Sequence, residues 1–108
     1  MRSYAYANES KNMDVTQILS ALSEPTRLAA VQIIWDGGEH CVCELMRRLG
    51  ATQSRMSRHM AVLKAAGLVV DRRDAQWVRY RRNPDLAQGA ARIVDAVMSA
   101  MDVEGMAA

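Results

Sequence analysis

Cys41 and Cys43, separated only by Val42, are the two thiols of this 108-residue chain. Two thiolates this close are a candidate chelate for a soft metal or metalloid. The pair falls where a helix is expected to begin, and a helix N-terminus lowers a thiol's pKa toward the thiolate that soft metals bind. On an ideal helix, positions i and i+2 point about 200° apart. The thiols therefore converge only if Cys41 precedes the first turn or that turn opens. The same pair also reads as two small buried hydrophobes. Two cysteines make no disulfide framework, and oxidation would close a very small, strained ring. Free thiols in a cytoplasmic protein are the simplest expectation.

The second chemistry is electrostatic. Ten of the 14 basic residues lie between Arg47 and Arg82, a span with only two acids, Asp71 and Asp74, and a net charge of +8. The remainder carries four basic and ten acidic residues, a net −6. A basic block with acidic flanks is the footprint of a polyanion partner, nucleic acid above all.

Within that block, Thr52 is a good N-cap for a helix running to about Ala66, where Gly67 stops it. At the helical repeat, Met56, Met60 and Leu63 fall on one side and face a core. Ser54, Ser57, Arg58 and Ala61 fall opposite, with Gln53 and Lys64 at the rim. Small polar groups, an amide and a guanidinium leave room for close approach to a major groove, where Gln suits adenine and Arg suits guanine. Thr52, Gln53, Ser54, Arg55, Ser57, Arg58 and His59 are the DNA-contact candidates here, His59 being either structural or phosphate-contacting. A solvated amphipathic helix is the competing reading, and the basic residues that follow weigh against it.

These residues need elements to hold them. Val15, Ile18, Leu19 and Leu22 form a helical stripe after a polar segment, 1–13, expected to be flexible. Ser23-Glu24-Pro25-Thr26 reads as a second helix start, with Ser23 as cap, and Asp36-Gly37-Gly38 as its end. A short third helix covers Val42 to Leu49. It joins the Thr52 helix through a Gly-containing turn, the pattern of a helix-turn-helix. Leu68–Arg72 and Trp77–Arg81 then read as two strands linked by Arg73-Asp74-Ala75-Gln76. Arg72, Arg73 and Arg79, with Arg81 and Arg82, make this hairpin a basic wing aimed at phosphate or a minor groove. Asn83-Pro84 opens a last helix with Leu86, Ala90, Ile93, Val94, Val97, Met98 and Met101 on one face. The expected fold is mainly α with a small β-hairpin, a winged helix-turn-helix over 14–102, followed by a flexible tail, 103–108. Apolar stripes on the first and last helices predict a C2 homodimer built on them, which a charge at Val94 or Val97 should weaken.

Several classes are disfavoured. No apolar run approaches the ~20 residues that span a bilayer, and the N-terminus lacks the apolar core of a signal peptide. No nucleophile–base pair, carboxylate dyad or Gly-rich phosphate loop is present, so an enzyme is not expected.

Leu22-Ser23-Glu24-Pro25-Thr26-Arg27-Leu28, Cys41-Val42-Cys43-Glu44-Leu45, Ser57-Arg58-His59-Met60-Ala61-Val62-Leu63 and Ala66-Gly67-Leu68-Val69 together resemble the arsenic-repressor (ArsR/SmtB) metalloregulators over Val15 to Met98. The hairpin Trp77–Arg81 fits as well, and the arsenite-responsive branch is the most similar. The resemblance implies a homodimeric repressor, paired through its first and last helices, on an inverted-repeat DNA operator. As(III) or Sb(III) is the implied inducer, with Cys41 and Cys43 as its ligands and no cofactor required. Where that branch often has a third cysteine, this chain has Met46, an uncharged thioether. The third position is then filled by a small-molecule thiol, hydroxide or His40, or left open, and His40 is expected to be exposed beside Glu39. The zinc-sensing branch's last-helix ligands are missing, because 84–108 contains no His or Cys; the cadmium- and lead-sensing branch's N-terminal cysteines are missing from 1–40. A thiol-redox or persulfide sensor on the same scaffold is the alternative.

Overall fold

The structure, a computed structural model, describes residues 13–107. Its elements run α1 (Val15–Leu22), α2 (Pro25–Ile34), β1 (His40–Cys41), α3 (Val42–Leu49), α4 (Gln53–Ala65), β2 (Val69–Asp74), β3 (Trp77–Arg82) and α5 (Gln88–Ala107). Among the described residues, five helices surround one apolar core, and a three-stranded antiparallel sheet in the order β1-β3-β2 closes one side. This is the expected winged helix-turn-helix. The predicted flexible segment 1–13 lies outside the described residues except for Met13.

Local chemistry sets most boundaries. Asp14 caps α1, accepting from the Gln17 backbone N–H at 3.1 Å. The cap of α2 is Glu24, whose carboxylate accepts from Arg27 N at 2.8 Å, rather than Ser23. Ser23 instead closes α1, its hydroxyl donating to Ser20 O. Pro25 occupies the first turn of α2, where no N–H is required. The core is filled by Ile18 and Leu22 of α1, Val31 and Ile34 of α2, Leu45 of α3, and Met56, Met60 and Leu63 of α4. No Phe is needed because flexible methionines fill the α4 seam.

Three boundaries differ from expectation. The hairpin turn is only Ala75-Gln76, with β2 and β3 each reaching six residues and Ala75 taking a left-handed φ of 58°. Asn83-Pro84 does not open the last helix. Asn83 anchors a turn instead: its side chain accepts from Asp85 N and donates to Gly67 O, both at 2.9 Å. Finally, α5 continues through 103–107, where a separate tail was expected. Among its apolar residues, Ala90 and Val94 are buried in the core of the same chain, while Ile93, Val97 and Met98 are only partly covered. Val94 is therefore a core residue, and a charge there would test folding rather than dimerisation.

Candidate nucleic-acid interface and thiol site

The α3–α4 turn sets up α4, the candidate reading helix. Gly50 ends α3 in the left-handed region at φ 66°, and its N–H bonds to Met46 O at 2.9 Å. Thr52 then caps α4, its hydroxyl accepting from Arg55 N at 3.3 Å. With Met56, Met60 and Leu63 buried, Gln53, Ser54, Arg55, Ser57, Arg58 and Ala61 are all exposed, as the helical repeat implied. Val62 is exposed too, an apolar residue beside this polar face that the sequence reading did not single out.

His59 is not on that face. Its Nδ1 lies 3.3 Å from Arg27 Nη1 and 3.8 Å from Glu24 Oε1. Arg27 also donates to Ala21 O at 2.8 Å. His59 thus ties α4 to the α1–α2 junction, the contact expected of the structural one of its two candidate roles. The backbone N–H of Arg27 at Glu24 holds that carboxyl below its usual range.

The wing arginines fall into two groups. Arg72 grips Glu39 with two hydrogen bonds of 2.6 Å, and Arg79 holds Asp74 at 2.7 Å. Each pair holds its carboxyl below the usual range. Arg82 stacks on the ring of Trp35, 4.4 Å from its centre, while Trp35 Nε1 donates to Asp95 at 2.9 Å. Arg73 and Arg81 are exposed and, like Arg55 and Arg58, pair with no carboxylate among the described residues. The expectation that Arg72 and Arg79 are simply available to phosphate is therefore corrected: both are already partnered.

The thiol pair sits where the sheet meets α3. Cys41 is not inside the helix. It is the N-cap of α3 in extended geometry, φ −67° and ψ 143°, and its Sγ accepts from Cys43 N at 3.1 Å. Because Cys41 precedes the first turn, the 200° divergence does not apply. The two sulfurs meet, and the structure joins them as a disulfide, which replaces the expectation of free thiols. Cys41 is buried at 6% exposure, whereas Cys43 faces solvent. Cys41 also belongs to β1, a strand too short to announce itself by periodicity, and pairs there with Arg79 of the wing.

His40 is buried rather than exposed. Its Nδ1 lies 3.0 Å from Glu44, and its Nε2 lies 2.9 and 3.1 Å from the two oxygens of Asp36. Burial pushes the ring's pKa down, but the hydrogen bonds to the two carboxylates outweigh it and the net shift is upward. With both nitrogens engaged, His40 has none to offer as a third ligand. Among the described residues, no group of three or more His, Cys, Asp or Glu side chains is arranged to hold a metal ion.

Residues 12–70 match the model of the bacterial regulatory protein, arsR family. The chain belongs to the ArsR family. It is 40% identical over 79 residues to the arsenical resistance operon repressor of Escherichia coli, covering 73% of this chain and 68% of that protein. It is 41% identical over 83 residues to the arsenic resistance transcriptional regulator ArsR2 of Pseudomonas putida, covering 77% and 72%. Among solved structures, it matches the homodimeric winged helix-turn-helix DNA-binding domain of a possible ArsR-family regulator from Mycobacterium bovis. That match has a TM-score of 0.67 and 26% identity, and covers 82% of this chain and 78% of that one.

This ArsR-family chain is thus a DNA-binding transcriptional repressor, and its relatives are regulators rather than enzymes. That solved neighbour is a homodimer. Among the described residues, no helix is long and apolar enough to cross a membrane. The features that sequence reasoning missed at the site are the β1 strand and the burial of His40. The alternation Asp36, His40, Glu44 at intervals of four was the available signal for the latter.

Proposed function

We propose that the protein is an arsenic-responsive repressor. As a homodimer it holds an inverted-repeat operator through α4 and the wing, and it releases DNA when As(III) or Sb(III) binds the Cys41 and Cys43 thiolates. Thr52, Gln53, Ser54, Arg55, Ser57 and Arg58 are the α4 contacts, Arg58 the base-reading one. Arg73 and Arg81 lead the phosphate contacts of the wing, and Arg72 and Arg79 contribute less because of their carboxylate partners. Val62 is suited to a thymine methyl. The observation that carries the reading is the convergence of the two sulfurs at the cap of α3, in a chain with 40% identity to an arsenical resistance repressor.

In the reduced protein, arsenous acid takes the two thiols with loss of two waters. Each thiol proton leaves with one arsenic hydroxyl, two As–S bonds form, and one hydroxyl remains. That hydroxyl, or a small-molecule thiol exchanging for it, fills the third position, since Met46 brings no charge and His40 is engaged. Because Cys41 precedes the first turn of α3, chelation does not have to unwind that turn. The coupling instead runs along α3 to α4 and through the Cys41–Arg79 rung to the wing. By linkage, inducer and operator weaken each other by the same factor, and about 1–3 kcal/mol gives about 5–150-fold.

The dimer in this reading forms through α1 and α5. Val15 at 42% and Leu19 at 50% exposure are apolar residues of α1 left in water by a single chain, and Ile93 and Val97 of α5 are only partly covered.

Operator release in a mobility-shift or fluorescence assay tests the function, with excess reductant to open the Cys41–Cys43 disulfide. As(III) should release the wild type and leave the Cys41→Ser/Cys43→Ser protein bound. Equal release of the double variant would overturn the mechanism. The disulfide in the structure favours one second reading, a thiol-redox switch, which release by peroxide or polysulfide but not by As(III) would establish instead.

A further inference from the structure

His40 is the buried polar residue nearest the thiols, and it is not among the proposed DNA contacts. It lies at 9% exposure immediately before Cys41. Both ring nitrogens face carboxylate oxygens at 2.9–3.1 Å. Each ring nitrogen thus has a carboxylate acceptor within hydrogen-bond reach, an arrangement that favours the charged form.

The placement of its two partners matters more than the charge. Asp36 lies at the end of α2, ahead of the pair Gly37-Gly38, and Gly37 adopts a left-handed φ of 90°. Two glycines in succession are the most freely rotating link the chain can place before the thiols. Glu44 lies in the first turn of α3, one residue past Cys43. His40 therefore ties the end of α2 to the start of α3 across the glycine link and across the chelating segment. The β1 rungs hold the backbone of Cys41 to the wing. They do not fix Cys43, which stands exposed on the helix. The His40–Glu44 contact spans Cys41 to Cys43 and sets where the first turn of α3 begins relative to β1.

We propose that His40 is the positioning residue of the thiol pair: bonded at once to Asp36 and Glu44, it holds Cys41 and Cys43 convergent for an inducer that needs both. The inference rests on the arsenic-responsive reading and extends it beyond the two sulfurs. Outer partners that orient metal ligands change affinity by about 10–100-fold when removed. His40→Leu is the direct variant, and it leaves no buried charge behind. Asp36 is 57% exposed, and Glu44 keeps Arg48 at 3.1 Å. Asp36→Asn and Glu44→Gln weaken one end each without emptying the buried site.

Two measurements on the reduced full-length protein test the proposal. The first is binding of phenylarsine oxide to DNA-free protein, followed by loss of titratable thiol; this probe takes two thiols, and their two protons leave with its oxygen as one water. The second is the As(III) concentration for half-release of operator, together with operator affinity before As(III) is added. His40→Leu should weaken phenylarsine oxide binding and raise the As(III) requirement by about 10–100-fold. Its operator affinity should stay within twofold of the wild type. Asp36→Asn and Glu44→Gln should each show a smaller loss in the same two readouts. Unchanged phenylarsine oxide affinity in all three variants overturns the proposal. So does a parallel loss of operator affinity by the same factor, which would mark the cluster as general scaffolding. If the wild-type operator complex ignores As(III) while the variants still bind phenylarsine oxide more weakly, the arsenic reading fails and the positioning role stands.

Discussion

Replacing Arg73 with alanine should flatten the salt dependence of operator binding far more than replacing its neighbour Arg72. Both guanidiniums are on β2 and exposed, so composition does not separate them. Arg72 is gripped by Glu39 through two bonds of 2.6 Å, so the pair presents almost no net charge to a phosphate. An exposed pair of this kind is weak and can open. Opening it, however, leaves the Glu39 carboxylate facing DNA, so little counterion is displaced. Arg73 pairs with no carboxylate among the described residues. Each phosphate neutralised contributes about 0.9 to the slope of log K against log salt, so losing Arg73 from both protomers removes about 1.8. Between 50 and 200 mM salt this changes the wild-type to variant ratio by about twelvefold. Fluorescence anisotropy of a labelled operator across that range reads the slope directly. Equal flattening by Arg72→Ala and Arg73→Ala would refute the argument, because it would mean that the Glu39 partner does not withhold Arg72 from DNA.

Other consequences are accessible to simple measurements. Leu19→Glu should convert the proposed homodimer to folded monomer at micromolar concentration; sedimentation showing an unchanged dimer would exclude α1 from the interface. Gly50→Ala should cost about 1 kcal/mol in urea unfolding, through the left-handed backbone alone, since a Cβ there meets nothing within 4 Å. Glu24 has its pKa lowered, chiefly by the Arg27 N–H, so its contribution is present above the unfolded-state value of about 4.3 and is lost as pH falls below it. Glu24→Gln should accordingly lower stability at pH 7 and show a shallower acid decline than the wild type in melts from pH 7 to pH 3.

Much of the molecule was written in local chemistry. The 3.6-residue repeat of Met56, Met60 and Leu63 determined which face of α4 is buried. Gly50 and Thr52 marked the turn, and the Arg47–Arg82 charge block marked the polyanion partner. Cys41-Val42-Cys43 marked a thiol site, because two reactive side chains one residue apart need no fold to be noticed. What tertiary structure decided depends on partners distant in sequence or on elements too short to have a period. A two-residue strand, β1, gains its hydrogen bonds only from β3, so nothing in His40-Cys41 announced it. That strand carries Cys41 out of the helix and lets the sulfurs meet, where a helical extrapolation kept them apart. Arg72 looked like Arg73 until Glu39, 33 residues away, came to lie against it. His59 sat in the reading helix by sequence but turned toward Arg27, 32 residues earlier. Val94 belonged to an apolar stripe whose sequence did not say whether it faced this chain's own core or another's. Periodicity identifies a buried face, but only packing identifies what buries it.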